Sequence, residues 1–171
     1  MQIDEEQPGG ETSQWTQPLQ AAVAAFFVVS ALVNVLIVFG FGDFYRSYYA
    51  QLYQRSQQVT VDQIGTRADA TVLVVTVITV AVALVFMVLA ALSYFRRVGW
   101  VFIVDMVVLF LAGAPALVGA AINLVSPPPS SLPQVFGLTQ LLLALVALSL
   151  FVLMLGLSLR YRPWAQQRAG A

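Results

Sequence analysis

Tyr94-Phe95-Arg96-Arg97-Val98-Gly99-Trp100-Val101-Phe102-Ile103-Val104-Asp105 decides how the chain is read. It joins two long apolar segments with almost no loop between them. Arg96 and Arg97 mark one membrane face, since cations are excluded from hydrocarbon and gather at span ends. Gly99 permits the turn, and Trp100 suits the headgroup boundary. Asp105 then enters the following segment as the one acid inside any apolar block. The hairpin therefore sets both the topology and the first candidate for chemistry.

The same alternation of apolar block and short connection runs through all 171 residues. The chain is 60% hydrophobic and 9% charged; a soluble domain carries about 25% charged residues. Four blocks hold the excess: 19–41, 70–95, 99–125 and 134–159. Each is long enough for the roughly 20 residues that cross hydrocarbon as a helix. Valine-rich 70–95 could suggest a strand, but so long an apolar run without polar alternation favours a spanning helix. The expectation is an all-α membrane protein, a four-transmembrane-helix bundle with a short amphipathic extramembrane helix between spans one and two.

Between the blocks the chain changes character. Residues 1–18 carry Asp4, Glu5, Glu6 and Glu11 and no cation, with Pro8-Gly9-Gly10 among them; a disordered acidic tail is expected. The first block is too long, and its leader too acidic, for a signal peptide, so a retained membrane anchor is expected. In the connection 43–69, Tyr45, Tyr48, Tyr49, Leu52 and Tyr53 recur at the spacing of one helix face. Tyrosines on such a face favour interfacial anchoring, with docking of a partner as the alternative. Thr60-Val61-Asp62-Gln63 has the form of a capping box opening a short helical turn. Residues 126–133 are Pro-rich and uncharged, a stiff connector, and 160–171 form a basic, aromatic tail.

Four spans put both termini and the 96–98 turn on one face. That face carries Arg96, Arg97, Arg160, Arg162 and Arg168, against Arg46, Arg55 and Arg67 on the other. The positive-inside rule then predicts a multi-pass protein of the inner or plasma membrane with cytoplasmic termini.

Candidate polar groups are few. The chain has no His, no Cys and no Lys, which removes the commonest general base and all thiolate chemistry. No Walker loop, nucleophile elbow or metal-ligand spacing occurs. Asp105 needs a partner, because an acid at the centre of a span costs about 2.5–3.5 kcal/mol on insertion scales. Arg96, Arg97, Arg160 and Ser93 could reach it. A structural acid paired with arginine is one reading, and a proton or cation site is the other. Asn34, Thr76 and Gln140 are expected to form an interhelical hydrogen-bond cluster. Ala112, Ala116 and Ala120 form a small-residue surface for helix packing, with Gly113 and Gly119 nearby; Asp105 should face the same way. Pro115 should kink that helix.

Three short features, Thr60 to Gln63, Arg96-Arg97-Val98-Gly99-Trp100 and Arg162-Pro163, give the chain a resemblance. Over roughly residues 60–168 it resembles the small uncharacterised four-helix integral membrane proteins of high-GC bacteria. The resemblance implies the four-helix topology and brings no activity with it. A non-enzymatic accessory or scaffold subunit is the functional expectation. Its contacts would be the lipid bilayer and a membrane-protein partner or second copy, with no cofactor and no nucleic acid. The alternative is an oligomeric ion or small-solute transport component using Asp105.

Overall fold

A computed structural model describes residues 13–55, 60–95, 99–125 and 134–161, with side chains at 18–55, 60, 62–95, 100–121 and 137–159. The described residues are all helical apart from single-residue joints. They form α1 (Ser13–Gly40), α2 (Gly42–Arg55), α3 (Val61–Phe95), α4 (Gly99–Val125) and α5 (Gln134–Tyr161). Helices α1, α3, α4 and α5 are long and apolar enough to cross a membrane. The chain is thus an all-α integral membrane protein with a short fifth helix between its first two spans.

Two boundaries differ from the sequence reading. Helix α1 begins at Ser13, so 13–18 continue the first span and only 1–12 of the acidic tail fall outside the described residues. Extending an existing helix adds one backbone bond for each residue ordered, whereas nucleating a new one does not. For the same reason the Thr60–Gln63 box opens α3 itself rather than a separate turn. Gln63 N donates to Thr60 O at 2.9 Å, and the helix runs 35 residues without a break. That is roughly 52 Å at 1.5 Å per residue, against about 30 Å of hydrocarbon. Several turns of α3 therefore stand outside the membrane. The exposed Asp62, Arg67 and Asp69 identify its Val61 end as the projecting one.

The chain divides into two compact units, residues 27–88 and residues 1–26 with 89–171. In the first, Phe27 is fully buried and its ring lies 5.3 Å from that of Phe86. Ser30, Ala31 and Val38 continue the buried side of α1. At Phe41 the helix is offset rather than ended. Phe41 N donates to Ile37 O at 3.0 Å and Tyr45 N to Phe41 O at 3.1 Å, so the hydrogen-bond ladder crosses the joint into α2.

In the second unit α4 and α5 pack antiparallel. Phe110 meets Phe151 with ring centroids 5.3 Å apart, and Gly113 lies against Ala147 and Leu148. Each step forward on α4 is matched by an equal step back on α5. Leu109, Ala144, Ala147 and Met154 are buried along this seam. It is a close contact made possible by small residues, as membrane helices require where water provides no hydrophobic drive.

Candidate functional site

Asp105 is the first candidate. It sits on α4 six residues past Gly99, about 9 Å into the helix. The carboxyl has no exposed surface. Its neighbours along that face are Val101, Phe102 and Leu109, all buried. Ser93, two residues before α3 ends, is also buried, and its Oγ lies 2.7 Å from Asp105 Oδ2. The same Oγ lies 2.7 Å from Leu89 O, one turn back on α3. Helix α3 ends at Phe95 and α4 begins at Gly99, so the last turn of one helix is close in the chain to the first turns of the next. Asp105 Oδ1 is buried and has no hydrogen-bond partner among the described residues.

By the α4–α5 register, Asp105 falls at the level of Leu155 and Gly156, with Ser158 within one turn. Gly156 has no side chain to offer. Ser158 is buried and donates to Leu155 O at 2.7 Å, so its one hydrogen is taken. Arg96 and Arg97 lie outside the described residues, as does the side chain of Arg160. Ser93 is therefore the contact the structure gives for Asp105.

The small-residue surface is rotated from the expected line. Ala120 is buried, but Ala112 and Ala116 are only half-buried, and Gly113 occupies the tightest point. Simple periodicity places Ala112 and Ala116 almost in line with Asp105. The buried face runs slightly to one side, through Leu109, Gly113 and Ala120. Asn34 and Gln140 are half-buried. Asn34 Nδ2 donates to Ser30 O and Thr76 Oγ1 to Val72 O, both at 2.8 Å and both within their own helices. Short polar side chains in spanning helices commonly satisfy themselves this way.

The second candidate is α2. It has no buried residue, yet it is tied down at two points. Arg46 grips Asp69 with two nitrogens, Nε to Oδ1 at 2.6 Å and Nη2 to Oδ2 at 3.0 Å. Tyr53 and Thr71 join hydroxyls at 2.8 Å. Thr71 already donates to Arg67 O at 2.8 Å, so Tyr53 is the donor. Residues seven apart on α2, roughly 10 Å, thus touch residues two apart on α3, about 3 Å. Helix α2 must run across α3 rather than alongside it. Ion pairs this exposed contribute at most about 1 kcal/mol, so α2 is positioned rather than locked.

Tyr45, Tyr48, Tyr49 and Tyr53 are half-buried, and the Tyr48 and Tyr49 rings meet edge-on at 5.3 Å. Burial, and then the adjacent phenols, push the Tyr45 and Tyr49 hydroxyls above their ordinary range. They remain neutral donors at physiological pH. Periodicity identified the four tyrosines. It could not identify the Arg46–Asp69 fork, whose partners are 23 residues apart and leave no short-range signal.

Among the described residues no three His, Cys, Asp or Glu side chains gather where they could hold a metal ion. No protein family, curated protein or solved structure matches the chain.

Proposed function

We propose that the protein is a membrane scaffold or accessory subunit that packs against other membrane components and presents α2 at the membrane surface. The observation that carries this reading is the way α2 is held. A 14-residue helix with no buried residue is fastened across α3 by a forked ion pair and a hydroxyl pair, leaving its tyrosine face half open. Helix α3 adds a second open surface. Only 11% of its most apolar stretch is buried, against 39% for α1. Leu73, Val77, Leu84 and Val88 are all exposed along it. The arginine distribution supports cytoplasmic termini, which puts α2 on the opposite face.

Extracted from its own membranes in mild detergent, the protein should run as a stoichiometric complex. Arg46→Ala, which frees one end of α2, should release the single chain. A lone chain from wild type would overturn the reading.

Asp105 favours a second reading, an oligomeric ion or small-solute transport component, because a buried carboxyl with one oxygen unpartnered among the described residues is the kind of group found on ion paths. Reconstituted in vesicles, wild type should dissipate an ion gradient that Asp105→Asn leaves standing. Equal, background leakage from both would rule that reading out.

A further inference from the structure

Two short contacts meet at one hydroxyl. Ser93 Oγ lies 2.7 Å from Leu89 O and 2.7 Å from Asp105 Oδ2. A serine hydroxyl has one hydrogen and two lone pairs. Leu89 O is a carbonyl and can only accept. If Asp105 were a carboxylate it too could only accept, and three oxygens would share one proton. Both separations are the usual length of a formed O–H···O bond, so each calls for a hydrogen of its own. That proton has one place to sit, on Asp105 Oδ2. The chain then reads in one direction, with Asp105 donating to Ser93 Oγ and Ser93 donating to Leu89 O.

The surroundings agree with this count. An ionised carboxylate has about four lone-pair sites to satisfy, and here Oδ1 is buried without a partner among the described residues. The carbonyl oxygen of a neutral acid tolerates that position far better than half of a negative charge. On α3 the facing groups are Ser93 and the Leu89 carbonyl. On α5 the register brings Leu155 and Gly156 to this level, and the buried polar side chain nearest in sequence is Ser158, whose hydrogen goes to Leu155 O. Tyr94 is the other titratable side chain described in this unit, and it is 63% exposed.

We propose that Asp105 and Ser93 form a proton-binding site inside the membrane: the acid holds a proton and donates it to Ser93 Oγ. The proposal concerns what occupies the site and stands whether or not ions cross the membrane, so a negative flux result leaves it intact. It also accounts for an acid within a span, because the protonated form escapes most of the cost of burying a charge.

Infrared spectroscopy of the protein in lipid tests it. A protonated carboxylic acid gives a carbonyl-stretch band that a carboxylate lacks. That band should appear in wild type, move on labelling with isotopic aspartate, and vanish in Asp105→Asn. The isotope shift identifies the group even if Asp105→Asn fails to fold. Ser93→Ala removes the acceptor and should shift the band without abolishing it. Absence of an aspartate carbonyl band from wild type would overturn the proposal and make Asp105 an ionised partner for a cation. A band unmoved by Ser93→Ala would overturn the role of Ser93.

Discussion

Ser93→Ala should lower the unfolding free energy by about 1–3 kcal/mol, the cost of leaving a buried polar group without its partner. Interhelical hydrogen bonds in membranes average nearer 0.6 kcal/mol, which would argue for a smaller effect. That average describes bonds whose donors find other partners once broken. Asp105 has no exposed surface, and its other oxygen is already unpartnered among the described residues. Removing the Ser93 hydroxyl strands the whole carboxyl, so the upper part of the range applies. The asymmetry gives a second, sharper expectation. Asp105→Leu combined with Ser93→Ala replaces both polar partners with apolar groups and should recover most of the loss. The cycle of single and double variants then yields a coupling energy well above the scatter of independent sites, roughly 0.3–0.5 kcal/mol. Denaturant titration of the purified protein in mixed micelles measures it. Equal stability of Ser93→Ala and wild type would show that the hydroxyl does not carry the acid.

Asp105 shows what a sequence can and cannot reveal in a membrane protein. Its rarity was visible at once, because an acid within a span is conspicuous against valine and leucine. The arginine-rich turn beside it drew attention to an ion pair. Those arginine side chains lie outside the described residues, and the contact the structure gives is to Ser93, two residues before the preceding helix ends. Serines are common in spans and usually bond to their own backbone, so the sequence could offer Ser93 only as one of several groups within reach of the acid. Span limits were legible for a simple reason: hydrocarbon thickness imposes a length that composition must meet. The four blocks correspond to α1, α3, α4 and α5 within a few residues, except where a helix continues past the membrane. Water does not penalise that continuation, and composition does not announce it. For α3 the excess reaches Val61, and the crossing of α2 over this outer part is fixed by Arg46–Asp69 and Tyr53–Thr71. Such contacts depend on three-dimensional placement and leave the one-dimensional pattern unchanged.

Two glycines on the same helix should respond to alanine with opposite signs. At Gly113 an added Cβ would lie 2.9 Å from Leu148 Cγ, 3.1 Å from Leu148 Cδ2 and 3.2 Å from Ala147 Cβ. Neither neighbour yields easily. Leu148 is blocked at its branch carbon rather than at a flexible tip, and Ala147 has no rotamer to change. Helices α4 and α5 must therefore separate at their closest point, and overpacking of this kind costs about 1–3 kcal/mol. At Gly119 nothing lies within 4 Å of the same added atom. There the methyl group only restricts the unfolded backbone and favours the helix, worth about 0.5–1 kcal/mol. Gly113→Ala should thus unfold at lower denaturant than wild type, and Gly119→Ala at the same or higher. Leu148→Ala placed with Gly113→Ala removes the obstructing branch and should return part of the loss. The mobility of a spin label distinguishes this cause from a general weakening of the helix. The chain has no cysteine, so one introduced at Leu145, on the exposed side of α5, reports on that helix alone. The label should loosen in Gly113→Ala and tighten again in the double variant. A destabilised Gly113→Ala that Leu148→Ala fails to improve would mean that backbone geometry near Pro115, and not the α4–α5 contact, requires glycine.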